Sequence, residues 1–307
     1  MTQHVVVLGG TGFVGRHLVP RLLRGGHRVT VLSRLASAAK RAALPPTAAL
    51  HEGDVHDPGF LRGAFREADA VVNLVGILNE SGDNGAGFER VFVGLTQTVI
   101  AAMQTSDVRR LLQMSALNAG EGASHYLQAR GRAEQCVRES GLAWTLFRPS
   151  VIAGPGDGLF CRFDALLKLA PVLPIGRADA RFQPVWVGDV AEAYARALDD
   201  PASIGQSYDL VGPEVMTLQQ IVEMTARARG RHRAVIGLPD ALGRLQAEIG
   251  EHLPGKPISR DNWRSLQDDS VSENNGLPRL GIVPTQVTPR LPEILGLAAD
   301  GTGRADA

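Results

Sequence analysis

Three glycines near the start of the chain, Gly9, Gly12 and Gly15, stand three apart in Leu8-Gly9-Gly10-Thr11-Gly12-Phe13-Val14-Gly15, directly after the apolar run Val5–Leu8. This spacing suits phosphate recognition. The first glycine allows a tight turn, the second lets the backbone approach a pyrophosphate, and the third lets the following helix pack close to the strand. A helix opening there offers free N–H groups and a partial positive charge to an anion. The pattern predicts a dinucleotide site built from Gly9, Thr11, Gly12, Phe13, Val14 and Gly15. The alternative is a glycine-rich turn that holds nothing.

The end of the next apolar run, Val29–Leu32, bears on which dinucleotide is held. NAD sites usually place an acid about 20 residues beyond the loop, on the ribose hydroxyls. Here the residues are Ser33 and Arg34, with Lys40 and Arg41 further on. A guanidinium can hold a 2′-phosphate in two parallel hydrogen bonds and stack on adenine, so NADP(H) is favoured and NAD(H) remains possible. Arg34 could instead be a solvated loop residue. Asp54 and Val55, in Gly53-Asp54-Val55, follow the third run, where Asp54 could accept from the adenine amino group or cap a turn. Asn73, Val75 and Gly76 close the fourth run and should lie beside the cofactor.

These residues need a frame, and the apolar pattern supplies one. Strand-like runs at Val5–Leu8, Val29–Leu32, Ala49–Glu52, Ala70–Ile77, Arg110–Met114 and Ala143–Phe147 alternate with helix-like segments, among them 88–103 and 125–140. Such alternation predicts an α/β fold with a doubly wound parallel Rossmann sheet, covered on both faces, and ligands beyond the carboxyl ends of the strands. Residues 1–150 form the dinucleotide-binding unit, with 182–212 returning to it through a strand at Gln206–Val211. Residues 151–181 and 213–298, richer in proline and glycine, form a smaller C-terminal substrate or partner lobe, and 299–307 a disordered tail. Helix-like spacing of Phe160, Phe163, Leu166, Leu167 and Leu169 reads as core packing before it reads as a wall for a lipid-like ligand. Asp189 is placed as the N-cap of a helix beginning near Val190.

The 307 residues contain 32 Lys+Arg and 32 Asp+Glu, a formal net charge of +0, which argues against bulk attraction to nucleic acid. Two cysteines, Cys136 and Cys161, suit a reducing compartment better than a disulfide framework. No metal motif stands out among the eight scattered histidines. No secretory leader and no run of about 20 apolar residues is evident, so a cytoplasmic protein is expected, with peripheral attachment to the inner membrane left open.

Taken in order, the Gly9–Gly15 loop, Gly53-Asp54-Val55, the helix of Tyr126, Arg148-Pro149-Ser150 and the stretch Phe182–Ala191 resemble the extended or atypical short-chain dehydrogenase/reductase superfamily, which includes NAD-dependent epimerases and dehydratases. Asn73–Leu78, Arg148–Asp157, Phe182–Ala193 and Ile258–Asn262 through Leu280–Ile282 are similar to bacterial relatives of the nucleotide-binding accessory subunit of respiratory complex I. That subgroup implies a tightly held NADP(H) and a role near complex I or ubiquinone metabolism. The wider resemblance implies contacts to the nicotinamide from the backbone around Pro149 and Val151.

It also implies a catalytic tyrosine with a lysine four residues later, on one helix face. The lysine lowers the tyrosine pKa from about 10 and clamps the ribose. Here the pair is Tyr126 and Arg130. Arginine keeps charge and donors but cannot give up a proton to a relay. Leu117 stands where the partner hydroxyl is expected, so Ser115 through a rotated backbone, or Ser124 just before Tyr126, would have to serve; Ser115 reads first as a buried serine satisfied by backbone. The asparagine of the helix after the fourth strand is replaced by Val91 or Phe92. These departures favour a dinucleotide-binding protein with weak or no turnover. An active NADP-dependent oxidoreductase, epimerase or dehydratase using Tyr126 stays open, as does a sensor of the NADPH redox state.

Overall fold

The computed structural model describes residues 2–35, 37–253 and 256–297. Seven parallel strands form one sheet: β1 (His4–Leu8), β2 (Arg28–Ser33), β3 (Ala49–Glu52), β4 (Ala70–Asn73), β5 (Arg110–Met114), β6 (Ala143–Pro149) and, after a long excursion, β11 (Gln206–Leu210). Their order is β11-β6-β5-β4-β1-β2-β3, so the chain winds outward from β1 in both directions. β1 lies between β2 and β4, with Leu8 opposite both Leu32 and Asn73.

Burial on both faces follows from the two-residue period of a strand. Val5 and Val7 enter a core with Leu18, Leu22 and Tyr194, whereas Val6 and Leu8 enter a second with Leu61, Phe65, Val99 and Met103. The first core lies under α1 (Gly15–Arg24) and α8 (Val187–Asp199); the second lies under α3 (Pro58–Phe65) and α5 (Leu95–Thr105). The short α2 (Ala38–Ala42) follows β2. α4 (Ala86–Phe88) runs through a π turn, Glu89–Gly94, into α5, and α6 (His125–Arg138) joins β5 to β6.

Between β6 and β11 come β7 (Ile152–Ala153), α7 (Phe160–Leu169), β8 (Val172–Gly176), β9 (Arg181–Phe182) and β10 (Val185–Trp186). After β11 follow β12 (Met216–Thr217), α9 (Leu218–Ala228), β13 (Ala234–Leu238), α10 (Asp240–Glu251), α11 (Arg260–Ser265) and α12 (Leu291–Ile294). Three two-stranded pairs, β10-β7, β12-β9 and β13-β8, arise here. Phe160 and Leu167 are core residues, while Leu169 is largely exposed. Residues 299–307 lie outside those described.

Three expectations change. The fourth strand stops at Asn73 rather than Ile77, because the Asn73 side-chain oxygen accepts from Val75 N at 3.1 Å and turns the chain. Asp189 is not an N-cap: α8 begins at Val187, and the Asp189 carboxylate instead binds Thr285 through its amide (2.7 Å) and hydroxyl (2.8 Å). The helix expected over 88–103 extends from 86 to 105 and contains the π turn. No helix among the described residues is long and apolar enough to cross a membrane.

An ion pair ties α1 to α8. Arg21 Nε and Nη2 donate to Glu192 at 2.5 and 3.2 Å, and Arg196 adds a bond of 2.7 Å. The bonds from Arg21, with help from Arg196, hold the Glu192 carboxyl down from 4.5 to about 2. A depressed folded-state pKa stabilises the fold at neutral pH, and this stabilisation is lost as the carboxylate protonates. Glu192→Gln is expected to cost about 1 kcal/mol at pH 7. In urea titrations the gap from wild type should close between pH 4.5 and about 2; a gap independent of pH there would refute the assignment.

Candidate dinucleotide and tyrosine site

The glycine loop is shaped by backbone meeting backbone. Gly9 has φ +78°, and a Cβ on it would come 3.1 Å from the Leu74 carbonyl carbon. A Cβ on Gly15 would lie 2.4 Å from both Cα and O of Gly10, so only glycine lets α1 start this close to the turn. Gly12 donates to the Gly9 carbonyl at 2.9 Å, and Arg16 to the Gly12 carbonyl at 3.0 Å. Among the described residues no acceptor takes the amides of Thr11, Phe13 or Val14. Free amides at the N-terminus of a ten-residue helix, in a cradle that a methyl group would fill, fit a pyrophosphate.

The loop touches the rest of the site through short steps. Leu74 N donates to Leu8 O at 3.0 Å, bringing Asn73, Val75 and Gly76 alongside Gly9. On the other side, Gly154 packs near Phe13, and Gly156 lies beside the Arg16 guanidinium. The buried Asp157 carboxylate shapes this second loop by accepting from the amides of Gly154, Leu159 and Cys161. Burial pushes its pKa up against those bonds.

At the end of β2, Ser33 is buried and Arg34 is exposed. Lys40 Nζ donates to Ser33 Oγ at 3.2 Å, so Lys40 joins the pair that the sequence marks. Asp54 is exposed and accepts from His56 N at 3.0 Å, the bond of a turn. The Val55 side chain is buried in the core, which leaves its backbone for any ligand.

Tyr126 and Arg130 share a face of α6. The Arg130 guanidinium is buried; Nη1 donates to Met114 O at 2.9 Å, and the carbon centre sits 3.9 Å from the Phe92 ring centroid and 5.4 Å from that of Tyr126. A Cβ on Gly76 would be 2.9 Å from Arg130 Nη2. The Phe92 and Tyr126 rings meet edge to face at 5.4 Å and 83°. Ser115 is buried, and its Oγ has no hydrogen-bond partner, as is also true of Arg130 Nε. Leaving two buried polar atoms without partners is costly, and the packing around Arg130 must offset that cost. Pro149 and Val151 already give their carbonyls to Leu117 N and Val185 N, both at 3.0 Å. Arg148 points to buried Glu134, whose hydrogen bond raises its pKa.

Several contributors escape a reading of the sequence. Asp261, 135 residues further along, accepts from Tyr126 N (3.0 Å), His125 N (2.7 Å) and Ser124 Oγ (2.9 Å), so a remote carboxylate caps the tyrosine helix. Asp83 forms two bonds with Arg264, which also reaches Asp261. Asp83, His125 and Asp261 lie within metal-ligand reach of one another, yet both carboxylates are engaged by Arg264. Only Arg16 carried a local signal, its place right after Gly15.

A doubly wound sheet with this glycine loop over its first crossover is the frame of a nicotinamide-dinucleotide-binding protein. A family model described as NAD(P)H-binding matches residues 9–162, and the chain belongs to that NAD(P)H-binding family. The chain is 31% identical over 289 residues to the mitochondrial NADH dehydrogenase [ubiquinone] 1 alpha subcomplex subunit 9 of Arabidopsis thaliana, covering 88% of this chain and 71% of that one. It is 27% identical over 290 residues to the 40 kDa subunit of mitochondrial NADH-ubiquinone oxidoreductase of Neurospora crassa, covering 92% and 76%. In fold it matches the UDP-glucose 4-epimerase of Thermotoga maritima, with a TM-score of 0.77 at 19% identity over 96% of this chain and 98% of that one.

Gly15→Ala should cost about 2 kcal/mol, because the new methyl meets backbone that cannot move aside. Dinucleotide affinity should fall at least tenfold, read by fluorescence titration. Unchanged affinity would mean that the loop does not hold the phosphates.

Proposed function

We propose that this chain holds NADP(H) as a tightly retained, largely structural group and serves a partner assembly related to respiratory complex I or quinone metabolism, with weak or no turnover. In this reading the amides of the Gly9–Gly15 loop hold the pyrophosphate, and Arg34 with Ser33 and Lys40 holds the 2′-phosphate. Asn73–Gly76 lines the cofactor, and Tyr126 with Arg130 faces the nicotinamide ribose. A bound nicotinamide supplies hydride chemistry, but a proton relay needs a side chain able to shuttle a proton beside it.

The observation that carries the reading is the state of Arg130. Its guanidinium is bonded to Met114 O and stacked on Phe92, a permanently charged clamp where a relay would need exchangeable protons. Ser115 Oγ is buried and Leu117 is a core residue, so neither offers an accessible second acid. The similarity to complex I subunits supports the choice of partner class.

The test is to purify the protein without added nucleotide, denature it and identify the released dinucleotide by mass spectrometry. NADP(H) retained in near-stoichiometric amount is expected. Arg34→Ala should weaken NADPH about tenfold while leaving NADH unchanged, as loss of a charge-assisted bond predicts. Released NAD(H) would overturn the Arg34 assignment. Brisk turnover that Tyr126→Phe abolishes would overturn the structural role.

A further inference from the structure

α10 is built inside out. Its inward face is made of small residues, Gly243, Ala247 and Gly250, and its large apolar residues point away from the protein. The inward face has no room for anything larger. A Cβ on Gly243 would come 2.9 Å from Gly176 Cα, and one on Gly250 would lie 2.6 Å from the Ile258 carbonyl oxygen. Gln246 fixes the orientation by donating to Pro174 O (2.7 Å) and accepting from Gly176 N (3.0 Å), so the helix seals the free edge of β8. Leu242, Leu245, Ile249 and Leu253 follow at three- and four-residue spacing and are each 48–56% exposed. Leu242, Leu245 and Ile249 form one stripe, followed just past the helix end by Leu253, whereas Asp240, Arg244 and Glu248 project from other sides of the helix. The adjoining β8-β13 pair exposes Val172 and Ile236 on one face, and Leu169 before it is 83% exposed. A monomer rarely leaves this much contiguous apolar surface without a use.

The neighbouring polar surface is basic. A concavity of about 580 Å³ opens beside β13, lined by Arg227, Arg231, His232 and Arg233 with Glu223. Arg227 pairs with Glu223 at 2.8 Å, and Arg231 shares the single carboxylate of Asp164 with Arg229 and Lys168, so cations still outnumber acids there. Among the described residues Arg233 is anchored only to a carbonyl, Leu167 O, at 3.1 Å. An apolar stripe that can sink a few ångströms, beside a surplus of arginine, complements an anionic lipid surface.

We propose that α10 and the β8-β13 edge form a peripheral docking face for an anionic lipid bilayer, with Leu242, Leu245, Ile249 and Leu253 entering the interface and Arg227, Arg231 and Arg233 meeting the headgroups. The face is separate from the dinucleotide loop and does not depend on its function. The test is co-sedimentation of the full chain with vesicles of phosphatidylcholine alone or mixed with phosphatidylglycerol. Binding to the mixed vesicles should exceed binding to the neutral ones by about tenfold and weaken with salt. Leu245→Ser/Ile249→Ser should lower it about tenfold, as should Arg227→Gln/Arg233→Gln. Both double variants alter exposed or half-buried side chains and should retain dinucleotide like wild type. Absence of wild-type binding to mixed vesicles would overturn the proposal. So would equal binding by the leucine–isoleucine double variant, or a dimer in light scattering that this variant dissolves without any vesicle binding, which would assign the face to a second copy.

Discussion

The contact between Gly10 and Gly15 sets the geometry of the rest. Two backbone segments meet with no side chain between them, so the first turn of α1 opens onto the carboxyl ends of β1 and β4 instead of standing off by the width of a methyl group. The amides of Thr11, Phe13 and Val14 then gather in one place, the helix dipole points at that place, and Leu74 is drawn against Gly9. Apolar strands buried on both faces make the arrangement rigid, because neither β1 nor α1 can shift without opening one of the two cores.

Around Arg130 the packing fixes a charge in place. A guanidinium stacked on Phe92 and bonded to a carbonyl is held by several contacts, and each would be lost in a step that required it to swing or deprotonate. Phe92 stands in the π turn, where the helix repeat widens and a ring can slide under the guanidinium. Phe92, one of the two residues standing where an asparagine is expected, and Arg130, standing where a lysine is expected, are thus in contact. Together they make a packed cation–aromatic cluster in which Phe88, Phe92, Tyr126 and Arg130 support one another.

Much of this was legible in the sequence because it is local. The strands from Val5 to Phe147 announce themselves by short runs rich in apolar and β-branched residues, and β3 and β5 fall at the residues that the pattern picks out. The glycine loop is legible because its constraint is steric and acts over seven residues. The end of β4 was misjudged because Leu74–Ile77 are apolar for reasons of packing, while a single side-chain bond from Asn73 decides where the strand stops. Asp189 was misjudged because its partner, Thr285, lies 96 residues away. Asp261 and Arg264 could not be read at all: a lone acid or base in a helical segment gives no sign of which distant element it will meet.

Those distant partners tie residues beyond α10 to the site. The loop after β4 is pinned to the segment beyond α10 by Lys256 on Glu80 O (2.8 Å), Asn262 on Leu78 O (3.3 Å) and the paired bonds of Arg264 with Asp83. The next residue of that segment to act, Asp261, caps the helix that carries Tyr126. Lys256 also binds Glu251, the last residue of α10. A continuous chain of polar contacts therefore runs from the apolar helix, through residues 256–264, to the tyrosine. A cleft that must open to admit and release substrate would have to break several of these bonds in each cycle. Under the proposed structural role, a cofactor that stays in place would break none, and its binding would help to hold residues 256–264 against the tyrosine helix.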